Sequence, residues 1–141
     1  MDSLQTTYSF RIRFSEIDAM RVVWHGAYVK YLEDAREAFG KEYGLGYQFI
    51  EDNGYYAPIV DMRLQYHRPL RYGMEPEMTI TYRPTDAAKI VFDYEIRDSS
   101  TGEVMITGHT IQVFMDLNYE LVLINPPFYE DWKKERLAFS V

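Results

Sequence analysis

The feature that most restricts what this chain can fold into is a change of period. From Ala57 to Asn125 apolar residues recur at every second position, segment after segment, and a single long helical stretch precedes them. Met62, Leu64 and Tyr66 share one face of the first segment, Met78, Ile80 and Tyr82 of the second, and Ile90, Phe92, Tyr94 and Ile96 of the third. Alternation of this kind reads as half-buried strands. The turn signal "SSTG" at 99–102 leads into "EVMITGHTIQVFMD", a long strand in which Gly108 predicts a bend or bulge, and "YELVLIN" adds a last short strand. Upstream, "YSFRIRF" alternates Tyr8, Phe10, Ile12 and Phe14 against Ser9, Arg11 and Arg13, another half-buried strand. Helical spacing then puts Tyr28, Tyr31, Leu32, Ala35 and Phe39 on one face, with Gly40 and Gly44 both candidate stops and Gly44 the better one. "YQFIEDNG" predicts a short second helix ended by Asn53-Gly54, and Asn125, Pro126-Pro127 and "FYEDWKKERLA" predict a capped C-terminal helix. Strand, long helix, then successive antiparallel strands is an α+β layout: a curved antiparallel sheet wrapped around one helix.

With 141 residues the chain is expected to form one domain, 1–141. Its net charge of −7 argues against nucleic acid as a partner, since phosphates are repelled at long range, and against an anionic membrane. Without cysteine there is no disulfide, thiolate metal site or cysteine nucleophile. The start, "MDSLQTTYSF", carries Asp2 and no apolar core of a leader, and no run approaches the ~18 apolar residues of a membrane span. A cytoplasmic protein is the expectation. His67 and His109 fall in strands away from any acidic cluster in the sequence, so no metal site is expected.

The chemistry concentrates in "SEIDAMRVVWHGAYVKYLEDAR", 15–36. A helix that starts near His25 and Gly26 gathers unpaired N–H groups and partial positive charge, which polarise a carbonyl oxygen. Asp18, seven residues upstream, sits where a carboxylate folds back over that end to attack the carbonyl or activate water. The plainer alternatives are that Asp18 is a turn or cap residue, that His25 is structural, and that Glu16 is solvated.

The same stretch resembles the signature of hotdog-fold acyl-CoA thioesterases of the 4-hydroxybenzoyl-CoA thioesterase-like family. The matching residues are Glu16, Asp18, Val23, Trp24, His25, Tyr28, Tyr31, Glu33, Ala35 and Arg36, supported downstream by "LQYHRPLRYGMEPEMTI" and "TGHTIQVFMD". The resemblance implies a hydrolase acting on a short-chain or aromatic acyl thioester, with active sites at the interface of a homodimer or homotetramer and no metal or redox cofactor. Asp18 would be nucleophile or general base, the His25 N–H would polarise the carbonyl, and the His25 side chain would position substrate or water. Trp24, Tyr28 and Tyr31 would border the acyl group, with Tyr43, Leu45, Tyr47 and Phe49 closing the far end of its pocket. Arg68, Arg71 and Lys89 would meet the phosphates of CoA, or an acyl carrier protein. Two residues depart from the pattern. Arg21 stands where the family usually has glycine, which would permit φ > 0 or a close backbone approach. The alternatives are that Arg21 reshapes the loop, pairs with Asp18 or Glu16, or faces a ligand phosphate. Phe14 stands where tyrosine is frequent. They keep open a non-catalytic acyl-thioester binding protein; an acyl-carrier-protein thioesterase is the further alternative, since the basic patch of Arg68, Arg71 and Lys89 would also receive the carrier.

Overall fold

The computed structural model describes residues 4–137. Asp2, and Ala138 at the end of the expected last helix, lie outside them. The strands are β1 (Gln5–Ser9), β2 (Tyr55–Tyr56), β3 (Ile59–Tyr66), β4 (Pro76–Arg83), β5 (Lys89–Asp98), β6 (Val104–Asp116) and β7 (Leu121–Val122). The helices are α1 (Ala27–Tyr43), α2 (Tyr47–Asp52) and α3 (Pro127–Leu137). All strand pairs are antiparallel: β1-β4-β5-β6 run in order, with β3 and the short β2 on the far side of β6 and β7 pairing its last residues.

The helix face read from the sequence is the face that is buried. Tyr28, Tyr31, Leu32, Ala35 and Phe39 are all at most 3% exposed, and they meet Met78, Ile80 and Tyr82 of β4 and Ile90, Phe92, Tyr94 and Ile96 of β5. Each large side chain so buried contributes ~1.5–3 kcal/mol of transfer free energy. Gly44 ends α1 with φ 74° and returns its N–H to the Gly40 carbonyl at 2.8 Å. Beside it, a Cβ on Gly40 would sit 2.7 Å from the Gly46 Cα, so the glycine lets the backbone leading into α2 cross α1 closely. At the other side α3 is pinned by Trp132, whose indole N–H donates to the Tyr43 carbonyl, and by Tyr129, whose hydroxyl meets those of Tyr82 and the Lys89 carbonyl.

Four sequence expectations change. The first strand ends at Ser9, not Phe14, because its partner β4 begins at Pro76 and the pairing runs out with the Phe10 N–H on the Pro76 carbonyl. Phe14 then enters a 3₁₀ turn (Phe14–Glu16) and is 78% exposed. Gly108 is not a bulge: the ladder passes through it on both sides, and a Cβ there would be 3.4 Å from Leu32 Cδ1 and Tyr94 Cδ1. Its bareness makes room for α1. Asn125 does not cap α3, whose first turn is bonded to the Pro126 carbonyl; its amide instead joins the Asp86 carbonyl to Lys133.

Candidate active site

Asp18 opens a five-residue hairpin loop between the paired residues Ile17 and Val23. Its N–H donates to the Val22 carbonyl and its carbonyl accepts from the Arg21 N–H, the pattern of a hairpin that closes on a left-handed residue. That residue is Arg21, at φ 66°. The position that favours glycine is therefore real, and holding an arginine there costs about 1–2 kcal/mol. Arg21 is exposed and, among the described residues, pairs with neither Asp18 nor Glu16. Asp18 Oδ1 accepts from the Met20 N–H at 2.8 Å and the Val22 N–H at 3.4 Å, while Oδ2 meets no donor among the described residues. The turn role and the free carboxylate oxygen thus belong to the same side chain.

Glu16, expected to be solvated, is 5% exposed. One carboxylate oxygen accepts from the Arg13 N–H and the Tyr31 hydroxyl, the other from Lys30 Nζ at 3.0 Å. Burial pushes its pKa up, but these donors outweigh it and hold the carboxyl below its usual range. The Glu16 carbonyl accepts the Trp24 N–H, and the Val23 N–H reaches the Leu70 carbonyl, so the Asp18 hairpin is fastened at both legs.

The second leg of the hairpin runs straight into α1. The Ala27 N–H closes a turn on the Trp24 carbonyl, whereas the N–H groups of His25 and Gly26 find no acceptor among the described residues. Tyr66 from the end of β3 donates its hydroxyl to the His25 carbonyl, and its ring meets Tyr28 edge-on at 5.2 Å. Burial raises the Tyr28 phenol pKa, the Leu70 N–H opposes that, and the Asp18 carboxylate adds to it. The charge of Asp18 is therefore felt in the first turn of α1. A carboxylate oxygen without a partner, on the hairpin that leads into a helix start with unpaired N–H groups, is an arrangement suited to acyl transfer.

The family model of the thioesterase-like superfamily matches residues 12–132. The chain belongs to this superfamily. It is a thioester hydrolase. It is 30% identical over 105 residues to the putative acyl-CoA thioesterase YneP of Bacillus subtilis, covering 74% of this chain and 75% of that protein. Among solved structures it superimposes on the DHNA-CoA thioesterase of Staphylococcus aureus with a TM-score of 0.83 at 22% identity, covering 96% and 93% of the two chains. The 1,4-dihydroxy-2-naphthoyl-CoA thioesterase Slr0204 from Synechocystis gives 0.81 at 17%, covering 97% and 98%. The fold is thus the hotdog expected from the sequence.

The other site residues expected of this thioesterase-like chain fall into two groups. Trp24 stands at the helix start, 45% exposed, its ring edge-on to the exposed His25 ring at 5.8 Å and lying over Gly26. Tyr28 and Tyr31 are buried, and Tyr31 is committed to Glu16. Arg71 is exposed next to the hairpin, bridging Val22, with no ion pair among the described residues. Arg68, by contrast, is already paired with Glu103 at 2.6 Å. Lys89 lies apart: it pairs with Val113, whereas Arg68 is bonded at Met105, eight residues or roughly 27 Å away along β6. His109 is not remote from acids either, since its Nδ1 meets Asp93 Oδ1 at 2.6 Å and Arg83 holds the other oxygen.

Sequence reading missed the groove beside the hairpin. Arg11, Arg13 and Lys30, with the acids Glu16 and Asp34, line a groove of ≈ 660 Å³ together with Phe14 and Tyr72, whose exposed rings meet edge-on at 5.9 Å. The signal was present as arginines interleaved with aromatic residues in "FRIRF". It was absorbed by the reading of a strand. Among the described residues, no helix is long and apolar enough to cross a membrane.

Proposed function

We propose that the protein hydrolyses acyl-CoA thioesters, with Asp18 as the catalytic carboxylate and the start of α1 as the oxyanion site. One observation carries this reading: Oδ1 of Asp18 is anchored by its own loop while Oδ2 is free, in a hairpin whose second leg leads into the unpaired N–H groups of His25 and Gly26. The thioester oxygen accepts from those N–H groups, which stabilise the negative charge that develops as the carbonyl carbon becomes tetrahedral. In the general-base form, Oδ2 takes a proton from water as the water oxygen bonds to the carbonyl carbon. Collapse then breaks the carbon–sulfur bond, and the proton passes to the leaving thiolate. In the nucleophilic form, Oδ2 bonds to the carbon, thiolate leaves, and water cleaves the resulting anhydride.

The CoA phosphates are met by Arg71 and by Arg11 and Arg13 of the groove, with Phe14 and Tyr72 offering ring faces to the adenine. Arg68 and Lys89 take no part, the first being neutralised by Glu103 and the second lying at the far end of the sheet. The protein works as a homo-oligomer, a role for which β3, paired on one side only, supplies a free edge. The acyl group is short or aromatic, as in the naphthoyl substrate for which two of the similar structures are named.

The test is thiol release from a panel of acyl-CoAs by wild type and Asp18→Asn. Asparagine keeps the Oδ1 acceptor, so the hairpin persists while the base or nucleophile is lost. A fall of about 10²–10⁴ in kcat supports the reading. Turnover that survives the substitution removes Asp18 from the mechanism, and binding without turnover by wild type means an acyl-thioester binding protein.

A further inference from the structure

Arg21 is held in a backbone conformation that nothing inside the chain compensates. Its φ of 66° lies in the left-handed region, three residues after Asp18 and within the same hairpin. Left-handed backbone suits glycine, or asparagine and aspartate, whose short side chains bond locally. Arginine makes no such bond here. Its N–H closes the loop on the Asp18 carbonyl at 3.0 Å, as the N–H of any residue would. Its exposed guanidinium meets no hydrogen-bond acceptor and no carboxylate among the described residues. Strain that persists without a structural partner points to function. Arg21 is also a departure from the signature that the chain shares with its family, not a part of it.

The arginines around it share this lack of partners. Along β3, β4 and β5 and just beyond β3, each arginine has an acid: Arg63 has Asp61, Arg68 has Glu103, Arg83 has Asp93 and Arg97 has Glu95. Around the hairpin the pattern reverses. Arg11, Arg13, Arg21 and Arg71 are all exposed, and none forms an ion pair among the described residues. The pairing of the hairpin connects them. Val22 stands opposite Arg71 and the Val23 N–H reaches the Leu70 carbonyl, so the two segments run antiparallel. One step further along that register, Arg21 comes beside Tyr72, whose ring meets Phe14 in the groove that Arg11 and Arg13 line. The acids of that groove have Lys30 between them: it bonds Glu16 at 3.0 Å and lies one helical turn before Asp34. In a chain of net charge −7, arginines gathered without counter-acids make a local positive field that suits an oxyanion. Their forked donors match the oxygens of a phosphate.

We propose that Arg21 is a substrate-binding residue that, together with Arg71, clamps a phosphate of the CoA portion of the thioester. This rests on the thioesterase reading above for the presence of CoA. The pantetheine arm separates the phosphates from the reacting carbonyl, so the clamp holds ground state and transition state alike and acts on KM rather than on kcat. Because Arg21 belongs to the Asp18 loop, the clamp ties the substrate to the same hairpin that carries the carboxylate. The left-handed arginine is a loss of stability kept because the contact needs it.

The experiment is calorimetry of wild type, Arg21→Gly, Arg21→Asn and Arg21→Lys with CoA, 3′-dephospho-CoA and pantetheine. Wild type binds CoA more tightly than pantetheine. Glycine and asparagine accept the backbone at this position, so both variants melt no lower than wild type. They lose about tenfold in affinity for CoA, the size of one charge-assisted contact, and nothing in affinity for pantetheine. Lysine keeps the charge without the fork and falls between. An effect that vanishes with 3′-dephospho-CoA puts the contact at the 3′-phosphate, and one that persists puts it at the diphosphate. With an acyl-CoA that wild type hydrolyses, KM rises in step and kcat holds. Stability that rises while CoA affinity falls is a pairing that a structural role does not produce. Unchanged CoA affinity, equal losses for CoA and pantetheine, or a glycine variant less stable than wild type overturns the assignment of Arg21. Absence of turnover by wild type overturns the thioesterase reading alone, since CoA affinity still reports on Arg21.

Discussion

Removing the Glu16 carboxylate should destabilise the protein far more than loss of an ordinary loop acid. In Glu16→Ala the Tyr31 hydroxyl, on a side chain only 3% exposed, loses its acceptor. Leaving that group unsatisfied costs about 1–3 kcal/mol. Lys30 is half exposed and turns to water, so its ion pair adds no more than about 1 kcal/mol. The Arg13 N–H is likewise near solvent. The total is about 1–4 kcal/mol, a large part of the ~5–15 kcal/mol that holds a domain of this kind together. In a chain of this length that lowers Tm by roughly 3–15 °C. Urea titration of wild type, Glu16→Ala, Glu16→Gln and Glu16→Gln/Tyr31→Phe measures it; the glutamine variant, which keeps one acceptor, falls between wild type and alanine. The pH dependence has a definite sign. Because the folded carboxyl titrates below its unfolded value, its stabilisation is complete above the unfolded pKa of about 4.3 and is lost as the pH falls through the folded pKa. The gap between wild type and Glu16→Gln should therefore be constant near neutrality and narrow in acid. A cost below 1 kcal/mol for Glu16→Ala, or a gap that widens in acid, would refute the reasoning.

Three further substitutions probe the frame of the site. Arg21→Gly should stabilise by about 1 kcal/mol in thermal melts, because glycine accepts the left-handed backbone that arginine resists; destabilisation would mean that the Arg21 side chain has a structural partner. Gly26→Ala puts a methyl where the Trp24 ring lies, 1.9 Å from its nearest atom, so the ring must swing away. A shifted tryptophan emission and reduced kcat/KM with little change in Tm are expected, and an unaltered spectrum would contradict the packing. Gly40→Ala drives a Cβ against the Gly46 backbone and should cost about 1–3 kcal/mol in urea titrations despite alanine's better helix propensity; a neutral or stabilised variant would show that the crossing of α1 and α2 is loose.

The buried face of α1 and the inward sides of β4 and β5 were legible because periods of 3.6 and 2 leave a direct imprint on apolar spacing. The loop carrying Asp18 was legible, though not its closure as a hairpin, and the left-handed backbone at Arg21 was one of several alternatives that the sequence left open. Other features depend on partners that spacing does not encode. Glu16 looks like a solvated acid until residues three, fourteen and fifteen positions later or earlier converge on it as donors. Phe14 continues a perfect alternation, but no neighbouring strand extends past Pro76 to pair with it. Gly108 reads as a flaw in a strand, whereas its role is set by Leu32, 76 residues away, coming within van der Waals distance. Lys89 and Arg68 are both basic residues near strand ends, and only the ladder register reveals that these are opposite ends.

The position of β6 in the sheet has a consequence for how the protein is born. This one strand, Val104–Asp116, borders β5, β3, β2 and β7, yet it is made after more than two thirds of the chain. On the ribosome the acid-bearing hairpin and α1 emerge early, with their apolar face bare, and β3 has nothing to pair with until residue 104 onward appears. Until then only the β1-β4-β5 ladders can form, with the β5 edge and β3 unpaired, so the nascent chain stays incompletely assembled and open to chaperones until β6 joins the two parts in one late event. A ribosome stalled before β6 should display a protease-sensitive chain, and release of only a dozen or so further residues should convert it to a resistant one.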